Sequence, residues 1–180
     1  MQRFAFAVSL CFCGLTVLSI PPRASAQERN VTVGIAYQYL RVDDASWPRG
    51  VSGDVVVDLS PRWAAVAEID GSWTTTQVFN FEQTASALAV GGGLRWTITA
   101  FEKVRPYVHA LVGAQRDALM IDRFGSDTQT HFAVQPGGGI AVGLTRRVAA
   151  FTQLDWRRVS RDTDDRNALH VRVGVRLTLR

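Results

Sequence analysis

The sequence predicts an all-β protein, an eight-stranded antiparallel up-and-down transmembrane β-barrel that follows a cleaved signal peptide. Three observations predict this fold. Apolar and polar residues alternate with a period of two along eight stretches, which is typical of strands rather than helices. Tight turns and longer polar connections alternate between these stretches. After Gln27 there is no apolar stretch of the ~18 residues that a membrane-spanning helix needs.

Residues 1–26 have the layout of a secretory signal peptide. Met1-Gln2-Arg3 gives a charged start, residues 4–20 are apolar, and Ala24-Ser25-Ala26 supplies a small-residue cleavage site before Gln27. We therefore expect an exported protein that is cleaved near Ala26.

Two units follow from this boundary, a signal peptide at 1–26 and a single barrel domain at 27–180. Cys11 and Cys13 lie inside the signal peptide, so the mature chain contains no cysteine and cannot form a disulfide. The core of the fold must therefore stabilise the exported protein without a covalent cross-link.

The eight predicted strands follow one another along the rest of the chain. In each of them one face is apolar and the opposite face carries glycine, hydroxyl, amide and charged residues. Their apolar faces run from Val31 to Tyr39, Val55 to Leu59, Trp63 to Trp73, Leu88 to Ile98, Val104 to Val112, Phe132 to Leu144, Val148 to Trp156 and Leu169 to Leu179. Strands of ~10 residues match a tilted membrane span.

Connections between the predicted strands are of two kinds. Three are tight, at residues 60–61, 100–103 and 145–147. Four are longer and polar, at residues 42–50, 74–84, 120–130 and 159–167, and all but the second of them carry aspartates. This alternation predicts a barrel with short turns and both chain termini at one end and long loops at the other.

The period of two does not show which face lies inside the barrel, because a soluble ligand-binding barrel alternates in the same way with its apolar face inward. Aromatic residues favour a lipid-facing apolar surface, since they fall near strand ends, where interfacial girdles lie. Glycines among the charges of the polar face also fit a narrow lumen that side chains must fill. The predicted girdles are Trp63 and Trp96 at the short-turn end and Tyr39, Trp73, Phe132 and Trp156 at the loop end.

The polar face predicts a network of charged side chains in the lumen. If Val159 pairs with Ala168, Asp155 lies beside Arg172, and His170 is the close alternative on the same face. Ion pairs of this kind would block the lumen rather than line a channel. The predicted network consists of Glu68, Asp70, Arg95, Asp155, Arg157, Arg172 and Arg176.

Several short segments resemble the outer-membrane β-barrel domain family, which includes the eight-stranded transmembrane domain of outer-membrane protein A. They are Val104-Arg-Pro-Tyr-Val108, Gly137-Gly-Gly139, Arg146-Arg-Val-Ala-Ala150, Leu154-Asp-Trp-Arg157 and the final alternating strand, Val171 to Leu179. The resemblance covers the whole mature chain and implies a cell outer-membrane location. It also implies contact with outer-membrane lipids and lipopolysaccharide, and with the barrel-assembly machinery and periplasmic chaperones during biogenesis.

The sequence departs from this family at its end. Family barrels usually finish on an aromatic residue that the assembly machinery reads, whereas this sequence finishes with Leu179-Arg180. It also lacks the peptidoglycan-binding domain that follows the barrel in outer-membrane protein A, so we expect no tethering to the cell wall.

No catalytic, cofactor or metal site is predicted. Acyl hydrolysis needs a base within reach of a nucleophile, and the residues two positions after His109, His131 and His170 are leucine, alanine and arginine. These histidines also lack the spacing of metal ligands. The net charge of +4 includes no basic run longer than two residues, so the sequence predicts no nucleic-acid partner.

The sequence therefore predicts a small outer-membrane barrel with a plugged polar lumen, a structural or surface-interaction role and no catalysis. Two other classes stay open at this point. One is an outer-membrane enzyme that modifies lipid A by acyl hydrolysis or transfer, and the other is a soluble periplasmic barrel that binds a ligand. The partner of the loops is not predicted.

Overall fold

The computed structural model describes residues 30–42, 45–78, 81–99, 103–121, 125–161 and 165–179. They form nine strands: β1 Val31–Val42, β2 Ala45–Trp47, β3 Arg49–Asp58, β4 Trp63–Val78, β5 Phe81–Thr97, β6 Val104–Ile121, β7 Gly125–Gly143, β8 Val148–Ser160 and β9 Arg166–Leu179. The described residues include no helix long and apolar enough to cross a membrane. The predicted signal peptide, its cleavage site near Ala26, and Arg180 lie outside the described residues.

The strands form one antiparallel sheet that closes into a barrel. Each strand from β3 to β9 pairs with its sequence neighbour, and β9 returns to pair with β1 from Val31–Leu179 to Val42–Ala168. This closure confirms the predicted up-and-down barrel, in which β1 and each strand from β3 to β9 have a hydrogen-bonded neighbour on both sides.

One of the eight strand positions around the barrel is occupied by two consecutive strands, β2 and β3, with Pro48 between them. Leu40 pairs with Trp47 on β2, whereas Tyr37 pairs with Val51 on β3, so the register shifts by one residue between the two pairs. Such an extra residue is a β-bulge, and proline fits there because it has no N–H to donate to the ladder. If β2 and β3 are counted as one bulged strand, the barrel has eight strands, as the sequence predicts.

The apolar face points outward along every wall. Ile35 is 64% exposed and Val173 is 61% exposed, whereas Arg172, next to Val173 in sequence, is only 1% exposed. An apolar outer surface and a charged interior are the reverse of a water-soluble barrel and match a barrel that is surrounded by lipid.

The six predicted girdle residues all belong to the outward face. Trp63 and Trp96 are direct cross-strand partners on β4 and β5 at the short-turn end. At the loop end, Phe132 and Trp156 are 58% and 44% exposed, and Tyr39 and Trp73 are also exposed.

Two of the predicted long loops are in fact strands. Strands β4 and β5 continue to the pair Val78–Phe81, and β6 and β7 continue to the pair Ile121–Gly125. The expectation of polar loops at 74–84 and 120–130 is therefore wrong, and two long hairpins project at this end of the barrel. Both faces of such an extension lie in water, so its sequence does not need apolar alternation.

Candidate functional site in the barrel lumen

Five of the predicted network residues meet at the centre of the lumen, and all of them are buried. Arg172 forms an ion pair with Glu68, and its Nη1 also lies 3.3 Å from Asp155 Oδ2. Arg157 forms an ion pair with Asp70, to which its Nη1 donates a second hydrogen bond of 3.1 Å. Arg172 Nη2 lies 3.5 Å from the same Asp70 carboxylate, so the two arginines share one partner.

The predicted register of the last hairpin is wrong. Val159 pairs with Arg166 rather than with Ala168, because β8 and β9 extend further toward the turn than expected. His170, the alternative in the sequence-based prediction, is therefore the direct cross-strand partner of Asp155. Arg172 still reaches Asp155, because a long side chain can bridge the diagonal position on the same face.

The other two predicted residues, Arg95 and Arg176, lie nearer the short-turn end. They share the carboxylate of Asp54, whose Oδ2 is 3.3 Å from Arg95 Nη2 and 2.9 Å from Arg176 Nη2. The Tyr107 ring lies beside both guanidinium groups, 4.4 Å from Arg95 and 5.0 Å from Arg176. The positive groups thus gain cation–π attraction in addition to one shared carboxylate.

Glutamine side chains connect the charged groups and were missed by the sequence-based prediction. Gln153 donates to Asp155 over 2.8 Å and accepts from Tyr107 over 2.8 Å and from Arg176 over 3.2 Å, which links the two clusters. Gln135 accepts from Arg157 Nε over 2.7 Å and donates to Glu68 over 2.9 Å.

Gln38 closes the opposite side of the central cluster. It accepts from Arg172 Nε over 2.7 Å and donates to Asp70 and to Ser72. Asp54 and the four glutamines at 38, 115, 135 and 153 all belong to the inward phase of the alternation, which is the signal that could have identified them.

Two glycines provide the space that the carboxylates occupy. A Cβ at Gly34 would collide with the Asp54 carboxylate, and a Cβ at Gly137 would collide with that of Asp155. An eight-stranded lumen holds side chains and little else, so large charged groups require small residues opposite them.

The lumen charges are balanced. Four buried arginines, at 95, 157, 172 and 176, face four buried carboxylates, at 54, 68, 70 and 155. A buried charge without a partner is strongly unfavourable, whereas paired and hydrogen-bonded charges are tolerated. Chemically, this arrangement can hold strands on different sides of the barrel together through ion pairs.

Apolar side chains cover the network toward the loop end. Leu40, Val42, Trp47, Ala87 and Ala168 form a buried cluster on the inward face, and Val159 is only 1% exposed. The network is therefore separated from the solvent at that end by a layer of apolar side chains.

The surroundings of two buried histidines, His109 and His170, are polar but include few hydrogen bonds. His109 Nε2 lies 2.9 Å from Asp155 Oδ1, and the approach does not have hydrogen-bond geometry. Neither ring nitrogen of His109 or His170 has a hydrogen-bond partner among the described residues, so neither is hydrogen-bonded to a described serine or threonine hydroxyl. No group of three potential metal ligands occurs in the described part of the chain.

Ion pairs also lie at the loop end of the barrel. Arg158 pairs with Asp165, which also accepts from Ser160, and Arg161 pairs with Asp117. The hydrogen bonds from Arg158 and Ser160 hold the pKa of the exposed Asp165 carboxyl below its usual value.

A family model described as the outer membrane protein beta-barrel domain matches residues 10–176. The chain belongs to this family. It is thus a transmembrane barrel of the Gram-negative outer membrane, with its exposed apolar wall in contact with lipid. No curated protein shows significant similarity to the sequence.

Solved structures of outer-membrane barrels share this fold. Neisserial surface protein A is 12% identical, with a TM-score of 0.65 over 84% of this chain and 97% of that chain. Ail, the attachment invasion locus protein of Yersinia pestis, in complex with the heparin analogue sucrose octasulfate, is 13% identical, with a TM-score of 0.59 over 84% and 97%. The N-terminal beta-barrel domain of Pseudomonas aeruginosa OprF is 17% identical, with a TM-score of 0.53 over 82% and 97%.

Proposed function

We propose that this protein is a structural and surface-interaction barrel whose lumen is plugged by its own side chains and which catalyses no reaction. One observation carries this proposal. The Arg157, Arg172, Glu68, Asp70 and Asp155 side chains meet across the lumen, and none of them is more than 6% exposed.

The contacts connect distant walls of the barrel. Arg157 on β8 pairs with Asp70 on β4, and Arg172 on β9 pairs with Glu68 on β4. These strands stand on different sides of a closed sheet, so the pairs span the lumen instead of running along one wall. Charges that meet in this way leave no continuous water path at their level.

The surface-interaction role is assigned to the projecting hairpins. Outer-membrane barrels keep short turns in the periplasm and longer connections outside the cell. The β4–β5 and β6–β7 hairpins are therefore the parts of the molecule that reach an external surface. Insertion of the barrel into the membrane would depend on the barrel-assembly machinery and on periplasmic chaperones.

Proteoliposomes that contain lipopolysaccharide test the proposal with two measurements on one preparation. We expect no swelling in a small neutral sugar such as arabinose, because the lumen is closed, and an unchanged mass of lipid A. A general porin in matched vesicles is the positive control for swelling. Swelling would contradict the plugged lumen, and an acyl-chain loss or gain on lipid A would contradict the absence of catalysis.

A further inference from the structure

We propose that the short-turn end of the lumen is a binding site for a phosphate-bearing ligand that enters from the periplasm. A cavity of about 490 Å³ opens there. Its lining includes Arg95 and Arg176, the two arginines that share the Asp54 carboxylate. We call it the vestibule, and the residues that matter for its chemistry are Arg62, Arg95, Arg105, Arg176, Asp58 and Tyr107.

Arg95, at the inner end of the vestibule, has a guanidinium N–H group without a hydrogen-bond acceptor among the described residues. Arg95 is 5% exposed, and its Nη2 forms an ion pair with Asp54. The same carboxylate also forms an ion pair with Arg176. The Nε of Arg95 is buried without a hydrogen-bond partner among the described residues. A buried guanidinium N–H that lacks an acceptor is unfavourable, and an anionic oxygen in the vestibule would satisfy it.

The charge of the vestibule is positive, unlike that of the lumen as a whole. Its lining includes four arginines and Asp58, and Asp54 lies directly behind it. This gives an excess of two positive charges among the described residues, which matches the charge of about −2 on a phosphate monoester at neutral pH.

The rim adds further positive charge. Lys103, Arg146 and Arg147 are exposed on the neighbouring short turns, and a second cavity that they line shares Arg105 and Thr178 with the vestibule. These residues are far apart in the sequence, so the basic cluster is formed only by the fold. A positively charged mouth attracts anions and raises their local concentration.

The size and polarity of the vestibule fit a small solute. A volume of about 490 Å³ falls in the range of small-molecule sites. Hydroxyl groups of Thr32, Thr97 and Thr178 also line it and can bond phosphate or sugar oxygens. A sugar phosphate satisfies both the charge and the hydroxyl groups, whereas a neutral sugar satisfies only the hydroxyls.

The full chain, refolded in an uncharged detergent, allows a direct test. Glucose 6-phosphate is titrated against it by calorimetry, and the Nε–Hε resonance of Arg95 is followed by NMR. We expect saturable binding with a shift of this resonance, and no response to glucose. The substitution R105Q, on the exposed rim, should weaken binding about tenfold, and R95Q by at least as much.

The control variant is R116Q, which removes an exposed arginine at the opposite end of the barrel and should leave binding unchanged. If R95Q fails to fold, R105Q decides the outcome alone. A short-chain phosphatidylglycerol, added in place of the sugar phosphate, distinguishes a lipid headgroup from a soluble ester as the source of the phosphate. Absence of saturable binding for both ligands, or equal loss in R105Q and R116Q, would overturn the proposal.

Discussion

Individual lumen charges have several partners each, and this is the main finding at the residue scale. Arg172 contacts Glu68, Asp70 and Asp155, and its Nε donates a hydrogen bond to Gln38. Removing one member therefore leaves buried charges with too few partners, which costs about 3–5 kcal/mol for a buried pair. The lumen acts as one network and not as a set of separate pairs.

A double-mutant cycle on Asp155 and Arg172 tests this coupling. D155A and R172A should each lower the free energy of unfolding in urea, and the double variant should lose less than the sum of the two. The exposed pair Arg158–Asp165 is the matched control, and its two substitutions should have small, nearly additive effects. Additive losses at Asp155 and Arg172 would show that these residues are not coupled.

A charged residue at position 173 tests the assignment of the apolar face to the lipid. Val173 is 61% exposed on the outer surface of the barrel. V173R should reduce the stability of the barrel in lipid by about 2–4 kcal/mol, because the arginine would face the membrane interior. The measurement is the free energy of folding into vesicles.

The control for V173R is G92A, because an added Cβ at the outward-facing Gly92 meets only Val66 O at 3.5 Å. Gly174 is unsuitable, since an added Cβ there would lie 2.6 Å from the Ala36 Cβ. A larger loss for G92A than for V173R would mean that the assigned faces are reversed.

At the scale of elements, the sequence predicted the membrane-spanning parts of the strands and missed their extensions. Alternation is strict where one face meets lipid and the other meets the lumen, as from Leu169 to Leu179. It disappears from Thr74 to Gln77, where the ladder with β5 continues. Thr75 and Thr76, which point to opposite faces, are both exposed. A hydrophobic pattern depends on the two faces of a strand having different surroundings. It therefore cannot show where a strand ends once the strand has left the membrane.

The sequence was sufficient to predict which charged residues face the lumen, but not which of them form ion pairs with each other. The inward phase identified the arginines and carboxylates, because period two fixes the face of each residue. The pairing of Asp54 with Arg95 and Arg176 depends on how far the strands are staggered around the closed barrel. The register of β8 and β9 depended in addition on the length of a turn that carries no sequence signal.

The projecting β6–β7 hairpin should be dispensable for folding. Ala118 and Thr128 are cross-strand partners, so residues 119–127 can be replaced by an Asn-Gly turn that joins them. We expect the shortened protein to keep the compact, heat-modifiable band of a folded barrel on a gel. Replacing nine residues of the membrane-spanning part of β6, residues 105–113, by the same Asn-Gly dipeptide is the control that should abolish this band. Loss of the band in the shortened hairpin would show that the extension stabilises the barrel.

On the scale of the whole molecule, the interior changes character along the barrel axis. Apolar residues around Trp47 cover the loop end, balanced charges around Arg172 occupy the middle, and basic residues around Arg105 surround the short-turn end. Under the proposed function, the central charges close the lumen between the apolar cluster at the loop end and the vestibule at the short-turn end. A barrel closed in this way would separate the two sides of the membrane and present a different surface to each.

Single-channel conductance in planar lipid bilayers tests the closed lumen most directly. D70S/R157S removes one ion pair together with its charges, so it opens space in the lumen without leaving a charge unpaired. We expect no steady conductance from the wild-type barrel and a measurable, ion-carrying state in D70S/R157S. A steady wild-type conductance that D70S/R157S leaves unchanged would contradict a lumen closed by its charge network.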